Sequence, residues 1–416
     1  MTGPSASIPL VATIFGLTYL ALAIGKVPGL RVDRPGIALV GAAAMLGLGV
    51  LDLRDAAKAV NYETLILLFG MMVVVAYLRL SGFFALATGR IAARFAGPRP
   101  LLAVVIGLSG VLSAFLVNDV VCVALTPLVL GLTRRLGRPP VPYLIGLAAA
   151  SNVGSVATIT GNPQNIIIGS LSDISYLRFA ARLAPVAAVG LVLTYLTIAI
   201  IYRSALDAPS EAGPGDDPGP PRVHRRLLIE SVVVTLATVG CFFAGFPIAL
   251  VALVAAAVLL LLGRVRPEKV YGSVDWPLLV MFAGLFVVVH GFEVSVVRTW
   301  GIEGWRAVLG SPVVMVSGLA VVLSNLVSNV PAVLLFQPLM AAMAEANREP
   351  AWLALAMSST LAGNLTVLGS VANLIVVEGA RRSGTTIGFV EYLKVGVPLT
   401  ILTTLVGVAW LAWTHY

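Results

Sequence analysis

The chain of 416 residues is 59% hydrophobic and only 11% charged, whereas a soluble domain is about 25% charged. This composition excludes an ordinary soluble domain and predicts an all-α polytopic membrane protein. The net charge of +8 comes from residues clustered in short connections, which indicates orientation in a bilayer and not nucleic-acid binding. Cys122 and Cys241 lie in separate apolar runs without a neighbouring Cys or His, so neither a disulfide framework nor a metal centre is expected.

Three apolar runs, each about as long as a bilayer crossing requires, open the chain at 8–24, 35–51 and 64–80. No Lys or Arg precedes the first run, so it is expected to be a retained span and not a signal peptide. The segment 84–96 is more amphipathic, with Arg90 and Arg94 on one helical face. We expect it to lie in the membrane interface.

The run 101–133 carries a single charged residue, Asp119. It is too long for one crossing of a hydrocarbon core of roughly 30 Å at about 1.5 Å per residue, so a re-entrant hairpin is expected, turning at Asn118 and Asp119. A carboxylate at membrane depth is costly unless it faces protein, water or an ion, which favours a functional role. The alternative, compatible with the first, is that Asp119 only caps the second arm of the hairpin.

A second uncharged run, 139–172, contains a break at Gly161-Asn162-Pro163. Because proline lacks an amide hydrogen and disfavours helical geometry in the residue before it, backbone groups are expected to be free at mid-membrane. Such backbone is tolerated where it is buried or lines a cavity. A further span is expected at 185–202. The segment 204–226, rich in Pro, Gly, Ser and Asp, is expected to be a cytoplasmic linker.

The second half repeats this order, with spans at 228–244, 248–263 and 276–296, uncharged runs at 311–344 and 350–377, and a last span at 395–413. Matched spacings relate Ser113, Asn118 and Pro127 to Ser324, Asn329 and Pro338, relate Ser151, Gly161 and Asn165 to Ser359, Gly369 and Asn373, and pair Gly70 with Gly284. The predicted domains are a first repeat at 1–203 (hairpin 101–133, broken helix 139–172), the linker at 204–226, and a second repeat at 227–416 (hairpin 311–344, broken helix 350–377).

An odd number of crossings in each repeat, five, makes the second insert upside down relative to the first, which is an inverted-topology repeat. Asn165 and Asn373 are then expected to play matched roles on opposite sides of one central cavity. Basic clusters such as Arg134, Arg135 and Arg138 fall in alternate connections. The positive-inside rule therefore puts the linker in the cytoplasm and both chain ends on the non-cytoplasmic side. The expected location is the cell inner (plasma) membrane, which the chain crosses several times.

These hairpins and breaks resemble the ion transporter superfamily that includes sodium/dicarboxylate symporters, citrate transporters, arsenite/antimonite efflux pumps and one class of bacterial sodium/proton antiporters. The resemblance covers nearly the whole chain. It implies that substrate and ion sites form at two hairpin tips and two unwound helices. The residues so implied are Asn118, Ser328 and Asn329 at the tips, and Ser151, Asn152, Gly161, Asn162, Pro163, Asn165, Asn364, Thr366, Ser370 and Asn373 at the breaks.

The sodium-coupled dicarboxylate members carry Ser-Asn-Thr at both tips, whereas the tips here read Val117-Asn118-Asp119 and Ser328-Asn329-Val330. The Asn-Asp pair is similar to that of the arsenite/antimonite pumps, a likeness that would make Asp119 the group that couples transport to a proton or cation. Sodium is implied at the Asn118 and Asn329 tips. Against that, Gly161-Asn162-Pro163-Gln164-Asn165 and Ser328-Asn329-Val330-Pro331 look more like bacterial proteins described broadly as anion permeases.

We therefore expect a secondary active transporter of a small anion or oxyanion, citrate/dicarboxylate-like or arsenite/antimonite, coupled to protons or sodium. Half-helix N-termini after the breaks suit an anion, and the opposing carbonyls and Asn side chains suit a cation. The runs that hold these residues contain no Arg or Lys. A polyvalent organic anion would then depend on dipoles, hydroxyls and a bound cation, whereas a neutral hydroxide such as trivalent arsenite needs only hydrogen-bonding groups.

Three alternatives stay open: a sodium/proton antiporter of the same fold, an intramembrane enzyme using Asp119, and a passive channel. The enzyme reading lacks a second mid-membrane carboxylate, a Ser/His pair or a His cluster. No cofactor is expected beyond the coupling ion, H+ or Na+. The expected partners are the lipid bilayer and the transported solute, without nucleic acid. The sequence is compatible with a homodimer and with a partner ATPase.

Overall fold

The structure, a computed structural model, describes residues 7–24, 32–95, 97–208, 223–297 and 311–415, and contains no strand in these ranges. The first half forms α1 (Ile8–Ile24), α2 (Arg34–Gly47), α3 (Leu53–Ala59), α4 (Tyr62–Leu80), α5 (Phe83–Arg94), α6 (Pro98–Phe115), α7 (Asn118–Arg135), α8 (Pro140–Ser155), α9 (Pro163–Leu171), α10 (Tyr176–Ile201) and α11 (Arg203–Asp207). The second forms α12 (Arg225–Phe243), α13 (Ile248–Leu261), α14 (Pro267–Tyr271), α15 (Trp276–Phe292), α16 (Pro312–Val327), α17 (Asn329–Ala342), α18 (Glu345–Ala362), α19 (Val371–Arg382) and α20 (Phe389–His415). The prediction of an all-α fold is confirmed.

In the part of the chain that the structure describes, six helices are long and apolar enough to cross a membrane: α4, α6, α10, α12, α20, and α15 with the π-helical turn that follows it. Helices α2 and α13, with 14 residues each, are about 21 Å long and end before the predicted spans do. The reason is the same in both halves, because Gly49 and Gly263 adopt left-handed φ angles of 72° and 63° and turn the chain. The molecule is a multi-pass membrane protein.

The two halves interlock through helix crossings at matched glycines. Helix α4 packs on α13, where a Cβ atom at Gly70 would lie 2.7 Å from the backbone carbonyl of Ala252. Helix α15 packs on α2, where a Cβ at Gly284 would lie 2.8 Å from the carbonyl of Ala38. The same number of residues separates the two glycines as separates the two alanines. Each half therefore supplies one glycine and one alanine to equivalent backbone contacts.

Both predicted hairpins form, although the first turns earlier than expected. Helices α6 and α7 are joined by Leu116 and Val117, so Asn118 begins the second arm and does not sit in the turn. Helices α16 and α17 are joined by Ser328 alone, whose φ of 76° and ψ of 157° are rare for a residue with a side chain. The two tips therefore differ in backbone conformation.

The two broken helices form the buried centre of the molecule. Helix α8 is buried without interruption from Pro142 to Ser155, and α18 from Pro350 to Ala362. After each helix the chain makes a 3₁₀ turn, Ile159–Gly161 in the first half and Val367–Gly369 in the second. An extended residue then leads into α9 or α19, with Pro163 at the start of α9.

Close backbone approach explains the glycines in these turns. A Cβ atom at Gly161 would collide with the carbonyl oxygen of Ser155, and one at Gly369 would lie 2.9 Å from the carbonyl oxygen of Gly363. In both halves the chain folds back on the end of the helix it has just left.

The ends of the predicted linker are folded. Helix α11 buries Leu206, and Asp207 pairs with Arg99 at 2.8 Å. The amide of His224 donates to the Ser81 carbonyl at 3.1 Å. Residues 209–222 lie outside the described residues, as do the side chains of 91–94 in α5, the helix expected in the membrane interface.

Candidate functional site

Asn152 on the buried helix α8 joins the two halves of the molecule. Its Nδ2 donates to Asn364 Oδ1 at 2.9 Å and to Asn373 Oδ1 at 3.0 Å, both at the break of the second half. Its Oδ1 accepts from Ser370 Oγ at 3.0 Å and from Asn118 Nδ2 at 3.1 Å. One side chain therefore connects the first hairpin tip with the second broken helix.

Thr360 on α18 makes the reciprocal connection to the break of the first half. Its hydroxyl oxygen accepts from Asn162 Nδ2 at 3.1 Å and from Gln164 Nε2 at 3.2 Å. The same hydroxyl donates to Asn165 Oδ1 at 3.5 Å. The helix before each break thus supports the break of the other half.

Asn165 and Asn373 hold the two breaks in the same way. Each side-chain amide donates to the carbonyl oxygens ten and seven residues earlier in the chain, at 3.0 and 3.1 Å for Asn165 and at 2.7 and 3.0 Å for Asn373. Both side chains are fully buried. The structure gives the two residues equivalent contacts and places both in packed protein, so in this conformation neither lines an open cavity.

Asn162 and Ser370 cap the helices that follow the breaks. Asn162 Oδ1 accepts from the Asn165 amide at 2.8 Å, and Ser370 Oγ accepts from the Ala372 amide at 3.2 Å. Each satisfies one of the free amides that a helix start leaves. Thr366 takes part in these contacts only through its carbonyl oxygen, which accepts from Asn373.

The first hairpin tip is tied down by hydrogen bonds. Ser151 Oγ lies 2.7 Å from Ser113 Oγ and donates to the carbonyl oxygen of Asn118 at 3.2 Å. The buried Asn118 Oδ1 has no hydrogen-bond partner among the described residues, so one oxygen at this tip is available to a ligand.

Asp119 lies in the first turn of α7 and does not cap it. The N-cap residue is Val117, and no side chain makes a capping hydrogen bond there, so the capping alternative is wrong. The Asp119 side chain is half-buried and makes no hydrogen bond or ion pair with any described residue. A carboxylate without a protein partner at the end of a re-entrant hairpin is free to bind a proton or cation.

The second hairpin tip is held by fewer hydrogen bonds, among them that from Tyr19 Oη to the Pro331 carbonyl oxygen at 3.2 Å. Asn329 is buried, yet its Oδ1 lacks a partner in the described part of the chain, as does the hydroxyl of the buried Ser324. Asn325, one turn before the tip, donates to the Ala362 carbonyl at 3.1 Å, whereas its Oδ1 is also unpartnered there. No hydrogen bond is seen from the half-buried Ser328 side chain within the described residues. Several side-chain oxygens near this tip therefore have no hydrogen-bond partner among the described residues.

The contacts involve residues that the sequence motifs did not indicate as site residues, above all Thr360, Gln164 and Ser155. Ser155 accepts from Asn162 through its hydroxyl at 2.9 Å and from Asn165 through its carbonyl. A usable signal was present for Thr360, because it lies as far before Asn373 as Asn152 lies before Asn165. Because one position holds Thr and the other Asn, comparing residue types alone does not show that the two positions are equivalent in the repeats.

The centre of the molecule is polar without being charged. Every buried polar residue of the described chain is Ser, Thr, Asn or Gln, and none is Arg, Lys, Asp or Glu. No group of three or more His, Cys, Asp or Glu residues in the described ranges is arranged to hold a metal ion. The available chemistry is therefore hydrogen bonding by amides and hydroxyls, with the carboxylate of Asp119 next to Asn118 at the first tip.

Comparison with known proteins identifies relatives over most of the chain. Residues 19–360 match the citrate transporter family, CitMHS. The chain is 32% identical to the silicon efflux transporter LSI3 of Oryza sativa subsp. japonica, over 97% of this chain and 98% of that protein. It is 26% identical to a Dictyostelium discoideum protein that carries the transporter name arsB, over 91% of this chain and 87% of that protein.

Among solved structures, the YdaH transporter of Alcanivorax borkumensis, described as having an unusual topology, superposes with a TM-score of 0.64 over 98% of both chains. At 17% identity this likeness concerns the fold alone. The names of the family and of these relatives are those of transporters and not of enzymes, and the resemblance to the ion transporter superfamily is confirmed. A multi-pass helical fold with two matched hairpins and two broken helices, together with this match, shows that the chain is a membrane transporter belonging to the citrate transporter family.

Proposed function

We propose that the protein is a secondary active transporter of a small oxyacid that crosses as a neutral hydroxide, of the arsenite, antimonite or silicic acid type, coupled to protons or sodium through Asp119. The observation that carries this proposal is the composition of the buried centre, which contains amides and hydroxyls and no cationic side chain among the described residues.

Charge separates the two substrate classes that the family suggests. A citrate or dicarboxylate anion buried among these groups would keep its charges without an Arg or Lys partner, which is costly at low dielectric. A neutral hydroxide offers only O–H donors and oxygen acceptors. Asn and Ser side chains supply both donors and acceptors, so they match such a solute group for group.

The names of the relatives support the same class. The rice relative is named for silicon efflux, and the Dictyostelium relative carries the name arsB. Silicon and trivalent arsenic both exist in neutral water as uncharged hydroxides. A site that recognises one of them by hydrogen bonding would suit the other.

Coupling is proposed to involve the hairpin tips. Asp119 supplies a carboxylate without a protein partner among the described residues, and Asn118 and Asn329 each present a buried oxygen without one. Oxygens of this kind, opposite the amides of a broken helix, suit a small cation. The sodium ion or proton would then bind directly beside the transported solute.

The proposed orientation puts the linker in the cytoplasm and both chain ends outside, because the basic connections alternate. In this arrangement hairpins and broken helices move against the interlocked α2, α4, α13 and α15. Labelling single cysteines introduced at Ser210 and Ser7, in a background without Cys122 and Cys241, tests the orientation. Labelling of both positions from the same side would contradict it.

Transport into vesicles tests the function. Purified protein in liposomes should accumulate arsenite or silicic acid under an imposed pH or sodium gradient, and should not accumulate citrate or succinate. Accumulation of citrate and not of the hydroxides would overturn the proposed substrate class. Collapse of a sodium gradient by proton exchange with no solute present would instead assign sodium/proton antiport.

A further inference from the structure

A cavity of about 240 Å³ lies where the first turns of α10 and α18 meet the last turn of α20. Its walls carry the charged side chains of Arg178, Arg182, Glu345 and Glu349, and Leu353 and Leu411 add an apolar surface. It contains none of the residues of the buried polar centre. The volume is below that of pockets for drug-sized ligands and suits a compact polar group.

The four charges leave one positive and one negative group free. Arg178 Nε pairs with Glu349 Oε1 at 2.6 Å. Arg182 donates only to the carbonyl oxygen of Thr414, at 2.9 Å, and has no carboxylate partner among the described residues. Glu345 makes no ion pair there either. A ligand carrying both charges would complement this pair.

The tryptophans beside the cavity indicate that it lies near the lipid headgroups. Trp410 Nε1 donates to the carbonyl oxygen of Arg182 at 2.8 Å, and the rings of Trp410 and Trp413 pack with centroids 5.7 Å apart. Trp413 is 75% exposed at the protein surface. Exposed tryptophans near the end of a membrane span mark the boundary between hydrocarbon and water.

The equivalent corner of the other half carries a charge that is paired within the chain. Glu391 of α20 corresponds to Arg178 of α10, because each lies the same number of residues before the proline that interrupts its helix. The Glu391 carboxylate accepts from Tyr202 Oη at 2.7 Å and pairs with Lys394 Nζ at 2.6 Å. Arg178 and Glu391 are thus both paired within the chain, whereas Arg182 and Glu345 have no ion-pair partner among the described residues.

We propose that the cavity binds the headgroup of a zwitterionic phospholipid with a primary ammonium group, phosphatidylethanolamine. The guanidinium of Arg182 donates hydrogen bonds to the phosphate, since its N–H groups form a fork that matches two phosphate oxygens. Glu345 accepts hydrogen bonds from the ammonium. The glycerol end of the lipid lies over Leu353 and Leu411, and its acyl chains continue along the exposed surface of α20.

Native mass spectrometry of the full-length protein with equal amounts of phosphatidylethanolamine, phosphatidylcholine and phosphatidylglycerol tests the proposal. Phosphatidylethanolamine should be retained about fivefold more than phosphatidylcholine, whose quaternary ammonium cannot donate a hydrogen bond worth about 1 kcal/mol. Glu345→Gln should remove this preference. Arg182→Gln should lower retention of all three lipids, and Arg182→Lys should restore part of it.

Arg382→Gln is the matched control, because Arg382 pairs with Glu378 at the opposite end of the broken helix. It should leave the lipid preference unchanged. Denaturation midpoints of the variants in lipid-free detergent should match that of the parent, so that lost binding is not mistaken for unfolding. Equal retention of the three lipids by the parent protein would overturn the proposal. The proposal would also be overturned if soluble glycerophosphoethanolamine raised the denaturation midpoint as much as phosphatidylethanolamine does. The cavity would then be assigned to a free solute and not to a lipid.

Discussion

The two hairpin tips occupy equivalent places in the repeats and are built differently. At the first, Asn118 donates to Asn152 and its carbonyl accepts from Ser151, so the tip is bonded to the broken helix beside it. At the second, Ser328 holds a left-handed backbone, and the side-chain oxygens of Asn325 and Asn329 have no partner among the described residues, whereas at the first only Asn118 Oδ1 is in that position. Related sequence spacings have thus produced a first tip with more hydrogen bonds and a second tip with more unpartnered oxygens among the described residues.

The difference indicates how the halves divide their work. An anchored tip fixes the position of Asp119, whereas a strained tip with unpartnered oxygens keeps groups available for a ligand and stores free energy that binding can release. The crossings at Gly70 and Gly284 show no such difference, because both pack against a backbone carbonyl at nearly the same distance. The asymmetry is therefore local to the tips.

The largest effect is expected at the first tip. Asp119→Asn should lower gradient-driven solute accumulation by about tenfold or more, because it removes the charge of the carboxylate at this tip while retaining its size. Uptake by liposomes containing the purified variant measures this, with pH and sodium dependence expected to flatten. The control is Asp207→Asn, which breaks only surface pairs with Arg99 and Arg203 and should transport normally. Unchanged accumulation with unchanged pH and sodium dependence would remove Asp119 from the coupling mechanism.

The next effect tests whether the halves are equivalent away from the tips. Gly70→Ala and Gly284→Ala should each destabilise the protein by about 3 kcal/mol, because the new methyl group meets backbone that cannot move aside. Gly240→Ala in α12 is the control, since nothing lies within 4 Å of its Cβ position. Denaturation in mixed micelles measures all three. A large effect at one crossing and none at the other would mean that the asymmetry extends through the whole molecule.

A smaller effect is expected from removing the reciprocal connections. Asn152→Ala should cost about 2 kcal/mol, since it ends four hydrogen bonds that average about 0.6 kcal/mol each inside membranes. Thr360→Ala should cost about 1.5 kcal/mol, because three hydrogen bonds depend on it and the longest, at 3.5 Å, is weak. Thr235→Ala, which ends only a local bond within α12, serves as the control. If Thr360→Ala cost more than Asn152→Ala, the bonds of Asn152 to the first tip would add little to its stability.

The smallest effect should be a gain of stability at the second tip. Ser328→Gly relieves backbone strain worth about 1–3 kcal/mol and adds about 0.5–1 kcal/mol of entropy cost, for a net stabilisation of about 1 kcal/mol. Val117→Gly at the first tip should destabilise, because Val117 is buried and its φ of −43° needs no glycine. Micelle denaturation compares the two. Destabilisation by Ser328→Gly would show that the serine hydroxyl has a structural role.

The sequence by itself determined the membrane class, both hairpins and both breaks. Charge is excluded from the hydrocarbon core so strongly that a run such as 101–133 with one carboxylate can be identified without a structure. Gly161 and Pro163 interrupt a helix by local geometry alone, so this break could also be predicted from the sequence. The repeat followed from spacing, and with it the pairing of Asn165 with Asn373.

Only the tertiary structure decided which residues meet. The contact of Asn152 with Asn373 joins residues more than two hundred positions apart, and no local pattern encodes such a distance. Thr360 became visible as the counterpart of Asn152 only through its bonds to the other half. The sequence likewise could not predict the left-handed backbone of Ser328 or the position of the first turn at Leu116 and Val117. Local sequence sets what each segment can adopt, whereas the packing of one half against the other selects the conformation and the partners.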